Sequence, residues 1–186
     1  MPTKVPMPPM LLPTLLLLLA ACGTLGPGTP RHWPALPAAS ALPCCWQVEE
    51  QIELQAQDGT MQLGGVVARR GNSLTFVLFD SLGRRLLTLV HRDGESQVDM
   101  REELPLAEHS RLLLLALYLQ WLPAEQWPMD PDWTLAQEPG RKTLHYRTQP
   151  RITLTYPDPT NADARTLSFV REGITLHLRT VARTVL

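Results

Sequence analysis

The chain has 186 residues, with 17 basic and 18 acidic side chains and a formal net charge of −1 at pH 7. Because neither sign of charge dominates, the composition excludes the basic surface that nucleic-acid binding requires. This length leaves room for one domain and a tether. The arginines are scattered through turns and strands, which is typical of solvated surface.

The first 21 residues have the order of a bacterial secretion signal. Lys4 is the only charge before a short apolar run over residues 10–19, and small residues follow it. The run is too short for a membrane-spanning helix, which needs about 20 apolar residues. It ends in Leu19-Ala20-Ala21-Cys22, which resembles a lipobox with Cys22 as the lipidated residue after cleavage. An ordinary cleaved signal with a chance cysteine is the alternative. Gly23 in the second mature position implies sorting to the outer membrane, with the domain on the periplasmic side.

Residues 22–43 are dense in Pro, Gly and Ala and have no sustained apolar period. Such a composition predicts a flexible, lipidated tether, followed by one domain over residues 44–186. Cys44 and Cys45 stand side by side at the start of that domain, where they can form a vicinal disulfide, pair between chains or stay buried. The chain has no C-x-x-C spacing, so neither a thioredoxin-like motif nor a zinc site is indicated.

From Trp46 the hydrophobic period is two, which predicts β-strands. Asp58-Gly59 is a hairpin signal, and Gly64-Gly65 indicates a bulge or a sharp bend. Five strands with short turns are typical of an antiparallel meander. They are predicted from Trp46 to Gln55, Met61 to Arg69, Ser73 to Phe79, Arg85 to His91 and Ser96 to Met100.

The third and fourth strands carry apolar side chains on both faces, which predicts either cover on both faces or an apolar cavity on the inner side of the sheet. The segment from Pro105 to Leu122 follows them and has helix composition, with Pro123 as the stop. A helix that is apolar nearly all round is enclosed or faces a lipid-like partner. It is either a core helix or a helix that lines a lipid pocket.

Short strands resume after this helix. The sequence therefore predicts roughly ten strands, with one principal helix between two groups. The second group comprises Thr134 to Gln137, Lys142 to Thr148, Arg151 to Tyr156, Leu167 to Val170 and Ile174 to Val181.

No catalytic motif is present: the chain has no G-x-S-x-G, H-E-x-x-H, P-loop or G-x-G-x-x-G sequence. His91, His145 and His177 fall on the polar phase of strands, which favours surface histidines over a metal site. Asp80 and Asp99 are explained by turn and edge positions. We therefore predict no catalytic residue, no cofactor and no metal, although a triad assembled from distant residues is the open alternative.

The order of these elements carries a resemblance. A lipobox, a Pro-rich tether, a strand meander with the turn Phe79-Asp80-Ser81-Leu82-Gly83-Arg84, a leucine-rich helix and further strands resemble LolB. The chain is more similar still to an uncharacterised family of small proteobacterial lipoproteins with a LolB-like fold, often encoded among aryl polyene or fatty-acid-type synthesis genes. The resemblance covers Trp46 to about Val181.

The resemblance implies a mainly β fold, a curved incomplete antiparallel barrel of about ten or eleven strands closed by the leucine-rich helix over an apolar cavity. It implies that the turn at Leu82 and Gly83 inserts into the membrane; the alternative is that Leu82 folds back onto the sheet. The cavity and lipid-binding residues would be Phe76, Leu78, Leu87, Leu89, Leu112, Leu115, Leu119 and Trp121.

The expected function is that of a periplasm-facing outer-membrane lipoprotein that binds a lipid or acylated lipoprotein cargo and assists its transfer. A LolA-like periplasmic carrier would be a further partner. The chain departs from LolB in Arg84 and Arg85 directly after the turn and in the Cys44-Cys45 pair, so a polyene lipid or another acylated product also fits as cargo. The alternative is a non-catalytic scaffold lipoprotein of an envelope lipid or polyene synthesis complex.

Overall fold

In the part of the chain that the structure describes, ten antiparallel strands form one sheet, in which two meanders meet at the first and the last strand. The computed structural model describes residues 33–92, 94–100, 104, 109–128 and 130–186. The predicted signal segment 1–21 and Cys22 lie outside the described residues. Among the described residues, no helix has the length and apolarity needed to cross a membrane.

The first meander follows the predicted strands closely, because alternating apolar side chains and Gly-containing turns fix both register and ends. Adjacent strands pair in chain order, so β5 is one edge of the sheet. The strands are β1 (Trp46–Ala56), β2 (Gly59–Arg70), β3 (Ser73–Phe79), β4 (Arg85–Arg92) and β5 (Glu95–Met100).

Helix α1 (Ser110–Trp121) connects the two meanders. The nine residues from Leu112 to Gln120 are all buried, as predicted for an enclosed helix. Lys142 donates hydrogen bonds from Nζ to the carbonyl oxygens of Leu119 at 3.1 Å and Leu122 at 3.2 Å. These bonds satisfy carbonyls that have no partner within a helix. Burial lowers the pKa of Lys142, and the charge of Glu125 partly offsets this effect.

The second meander forms the other half of the sheet. β10 pairs with β1 from Trp46↔Val185 to Gln55↔Thr175, so the chain ends beside the strand that begins the domain. The prediction of a mainly β protein with about ten strands and one principal helix is confirmed, and the sheet is open at β5 and β6. The strands are β6 (Trp133–Glu138), β7 (Arg141–Tyr146), β8 (Gln149–Thr155), β9 (Ala164–Phe169) and β10 (Ile174–Val185).

One face of the sheet forms the core. On β3, Leu74, Phe76 and Leu78 are buried, whereas the alternate residues Val77 and Phe79 are half-buried. The predicted full cover of both faces is therefore wrong for this strand. Half-exposed valine and phenylalanine are common on a sheet face, because folded proteins expose much apolar surface.

Gly65 permits close packing and does not form the predicted bulge. The β1–β2 and β2–β3 registers run through Gly64 and Gly65 without a shift. A Cβ atom at Gly65 would lie 2.6 Å from Ile52 Cδ1 and 3.4 Å from Phe76 Cε2. The missing side chain thus leaves room for core residues of the two neighbouring strands.

The folded unit begins at Pro34, ten residues earlier than the predicted domain. Ala39 and Leu42 are fully buried, and Pro37 accepts a hydrogen bond at its carbonyl oxygen from the His91 ring at 3.2 Å. The structure therefore places residues 34–42, predicted as tether, against the sheet. Small apolar side chains can pack against a sheet without any hydrophobic periodicity, so the sequence pattern does not predict this contact.

Candidate functional site

A tight turn between β3 and β4 presents one apolar side chain to solvent. Leu82 is 79% exposed, which among the described residues is the greatest exposure of a large apolar side chain before β10. Asp80 accepts hydrogen bonds at Oδ1 from the backbone N–H groups of Leu82 at 2.9 Å and Arg84 at 2.8 Å. Gly83 has a φ of 77° and donates its N–H to the Asp80 carbonyl at 3.0 Å. The hydrogen bonds to Asp80 thus hold the turn in the conformation that exposes Leu82.

The charges around this turn pair in a defined way. Arg84 binds Asp80 through Nε and Oδ2 at 2.6 Å, and Arg85 binds Asp99 at 3.1 Å. Partial desolvation acts to raise the pKa of Asp80, but hydrogen bonds from Arg84 and Leu82 outweigh it and hold that pKa below its usual value. The two carboxylates are therefore structural ion-pair partners, in agreement with their predicted turn and edge positions.

An apolar groove lies where β1, β10 and the end of α1 meet. Its volume is about 330 Å³, at the lower end of the range of ligand pockets. The rings of Trp46 and Trp121 contact each other there, with centroids 4.9 Å apart. The groove is lined by Pro43, Trp46, Gln47, Val48, Trp121, Arg183, Thr184 and Val185.

Of the eight predicted cavity residues, the structure places Trp121 in this groove. The other seven are 3% exposed or less and pack in the interior between the sheet and α1. They come from β3, β4 and α1, and the structure brings them together in one core; their predicted role as lipid-binding cavity walls stays a prediction. Among the described residues, the groove beside Trp121 is an open apolar space that adjoins that core.

Behind the groove, a buried polar network joins the helix to two strands. Arg165 donates hydrogen bonds to Glu50 Oε1 and Gln120 Oε1, and its guanidinium lies 5.9 Å from the centroid of the Trp121 ring. Burial raises the pKa of Glu50, and the charge and hydrogen bond of Arg165 counteract only part of that rise. This network positions Trp121 at the edge of the groove.

Three arginines correct the expectation that this residue type marks solvated surface. Arg69, Arg151 and Arg165 are all 4% exposed or less. Arg165 pairs with Glu50, and Arg151 pairs with Glu172 at 2.7 Å. Burial of these two positive charges is tolerated because each forms an ion pair with a carboxylate.

Arg69 differs from the other two buried arginines. Within the described part of the chain, its Nε and Nη1 atoms have no hydrogen-bond partner, and the buried hydroxyl of Tyr118 has none either. Burial raises the pKa of Tyr118, and the positive charge of Arg69 opposes that rise. An unpaired buried cation is unusual and calls for a counter-charge.

His91 was predicted to lie on the surface and is fully buried. Its ring nitrogens bond Ser96 Oγ at 3.0 Å and the Pro37 carbonyl at 3.2 Å, and its ring meets that of Tyr118 edge-on. The prediction is wrong because residues 34–42 and α1 cover this end of β4, which the strand's own pattern cannot reveal. His145 is half-buried and His177 is exposed.

Sequence reasoning missed Trp46, Arg69 and Tyr118. For Arg69 a signal existed, since it continues the buried phase of β2 set by Leu63 and Val67. An arginine at an apolar position of a strand indicates a buried charge. For Trp46 no local signal exists, because the groove forms only when Trp121 and residues 183–185 fold against β1.

Among the residues that the structure describes, no three His, Cys, Asp or Glu side chains come together as a metal ion would need. Cys44 and Cys45 form a disulfide with each other, which selects one of the three alternatives left open by the sequence.

The fold and the site together define a class: an open ten-stranded antiparallel sheet that encloses a leucine-rich helix, with an apolar groove and an exposed apolar turn. The chain belongs to the family of proteins of unknown function DUF3261, whose model matches residues 47–182. The match confirms that the chain is a member of an uncharacterised family. No curated protein matches it.

Proposed function

We propose that this protein is a LolB-like outer-membrane lipoprotein that receives a lipid or acylated cargo on the periplasmic side and assists its transfer into the membrane. The cargo's acyl chain enters at the groove beside Trp121, and the turn at Leu82 contacts the bilayer. A LolA-like carrier delivers the cargo, which would be a lipoprotein, a polyene lipid or another acylated product.

The observation that carries this proposal is the braced exposure of Leu82. A leucine side chain that moves from water into acyl chains gains about 2 kcal/mol. That is enough for transient contact, whereas stable attachment requires a lipid anchor such as the one predicted at Cys22. Asp80 fixes the turn through two backbone hydrogen bonds, so little conformational entropy is lost when Leu82 inserts.

The groove supports the cargo-binding half of the proposal. It is lined mainly by apolar side chains and adjoins the leucine-rich interior through Trp121. A chain bound between Trp46 and Trp121 extends inward when α1 moves away from the sheet. In this step α1 acts as a lid over the apolar core.

A scaffold lipoprotein of an envelope synthesis complex is the second candidate. The close packing of seven predicted cavity residues favours it, because a filled core needs no cargo. In that case the exposed residues of β5, with Val98 and Met100 at its edge, serve as a contact surface for another protein.

The test uses the mature chain with Cys22→Ser, secreted into a bacterial periplasm so that no anchor interferes. Native mass spectrometry, followed by lipid extraction, detects any co-purifying acyl compound. Brominated fatty acids then serve as probes, because bromine quenches tryptophan fluorescence on contact and two tryptophans line the groove.

A bound acyl compound, and quenching that is lost in Trp121→Ala but kept in Trp133→Phe, is the expected result. Trp133 is the matched control because its ring packs on Tyr146 in the other half of the sheet. A clean apo mass with no quenching by any probe would reject the carrier function and favour the scaffold.

A further inference from the structure

One row of opposed side chains crosses the first four strands of the sheet and includes the buried Arg69. Trp46, Arg69, Leu74 and His91 stand directly opposite one another in the β1–β2, β2–β3 and β3–β4 registers. Side chains at opposed positions share a face of a sheet, so all four point toward α1. Trp46, at one end of the row, is also a wall of the groove.

Helix α1 meets this row with two aromatic residues one turn apart. Trp121 packs on Trp46 at 4.9 Å, and Tyr118 packs edge-on against His91 with ring centroids 5.7 Å apart. Positions i and i+3 lie on one side of a helix. Arg69 therefore lies under α1 between these two aromatic contacts, one strand inward from the groove.

Three buried polar atoms of Arg69 and Tyr118 have no hydrogen-bond partner among the described residues. Arg69 is 3% exposed and Tyr118 is fully buried, yet Arg69 Nε, Arg69 Nη1 and the Tyr118 hydroxyl bond nothing there. The other two buried arginines each have a buried glutamate. Among the described residues, no carboxylate pairs with Arg69, so its buried charge lacks the partner that Arg151 and Arg165 have.

We infer that Arg69 and Tyr118 bind the anionic head group of a single-chain acyl lipid, whose chain lies along the groove past Trp46 and Trp121. A guanidinium and a phenol are the donors that hold a carboxylate or phosphate in an apolar site. The ligand's negative charge compensates Arg69. This inference rests on the proposed function and adds the chemistry of its ligand.

The experiment compares four probes on the mature Cys22→Ser chain: a dibrominated stearate, its methyl ester, a lysophosphatidate and inorganic phosphate. The variants are Arg69→Met and Tyr118→Phe, with Arg70→Met as the matched control, because Arg70 follows in sequence and is exposed. Arg69→Met is expected to fold at least as well as wild type, since it removes an uncompensated buried charge. Thermal unfolding checks this for each variant.

The expected result is that Arg69→Met weakens stearate binding at least about tenfold and leaves binding of the methyl ester within about twofold. Tyr118→Phe weakens stearate binding by a smaller factor, and Arg70→Met leaves it unchanged. A lysophosphatidate affinity that also depends on Arg69 assigns the head group to phosphate when it exceeds that of stearate, and to carboxylate when it does not.

Two results would overturn the inference and leave the proposed function intact. One is equal stearate binding by wild type and Arg69→Met. The other is displacement of stearate by inorganic phosphate alone, which would make this a site for a free anion. If wild type binds neither stearate nor its ester, the proposed function itself fails.

Discussion

Arg165 on β9 forms an ion pair with Glu50 on β1 in the interior, although 115 residues separate them in sequence. The two strands are not neighbours, because β10 lies between them, and Arg165 Nη1 also bonds Thr180 Oγ1 of β10 at 3.0 Å. Gln120 joins the same guanidinium to α1. One side chain thus ties the junction of both meanders to the helix.

Removal of Glu50 alone should be strongly destabilising. Glu50→Ala leaves the Arg165 charge buried without its carboxylate, at a cost of about 3–5 kcal/mol in the free energy of unfolding. The double variant Glu50→Leu/Arg165→Met removes both charges and should lie within about 1 kcal/mol of wild type. Urea unfolding measures both. If the double variant is no more stable than Glu50→Ala, the charge explanation is wrong.

Leu82→Glu should weaken membrane contact without affecting the fold. Loss of the apolar side chain at the bilayer costs about 2 kcal/mol, or more than tenfold in partition to vesicles made from bacterial phospholipid. Its 79% exposure predicts an unchanged unfolding midpoint. Val170→Glu is the matched control, because Val170 is a half-exposed valine in a different turn. Equal vesicle binding by the two variants would contradict a role for Leu82.

Acid should loosen the turn that carries Leu82. The pKa of Asp80 in the folded chain lies below its usual value, so its stabilising contribution is present above about pH 4 and is lost as pH falls through the lowered pKa. In an NMR titration, the Asp80 carboxyl carbon and the Leu82 and Arg84 amides should shift together. A carboxyl midpoint at or above about pH 4 would exclude this bracing, and Asp80→Asn should abolish the coupled shifts.

The two adjacent glycines of β2 should respond differently to an added methyl group. Gly65→Ala places a Cβ 2.6 Å from Ile52 Cδ1 and should cost about 1–3 kcal/mol through overpacking. Gly64→Ala is the control, because its Cβ would meet Phe79 Cβ at an ordinary 3.9 Å. Ile52→Val removes Cδ1 and should restore part of the loss when combined with Gly65→Ala. Additive effects of the two substitutions in thermal unfolding would refute the clash.

The strands, most of their turns and the enclosed helix could be predicted because local pattern determines them. Alternating side chains, Asp58-Gly59 and the run ended by Pro123 each act over a few residues. The turn with Leu82 was found for the same reason.

The buried charges could not be predicted in this way. Arg165 is buried because Glu50 reaches it from the opposite half of the sequence, and His91 is buried because residues 34–42 fold over it. Such contacts depend on which strands become neighbours, and a single sequence does not record that. Arg69 is the exception, since it stands in sequence on the apolar phase of β2, where an arginine indicates a buried charge.

The early start of the folded unit changes how strongly a weak membrane contact acts. With residues 34–42 held on the sheet, a lipid on Cys22 would restrain the domain through 22–33 alone, a reach of about 40 Å at full extension. Within so small a volume, the bilayer would be present at a high effective concentration for Leu82. On the proposed function, a side chain too weak to hold a free protein on a membrane would then contact it repeatedly, and each contact would be short enough to release a cargo.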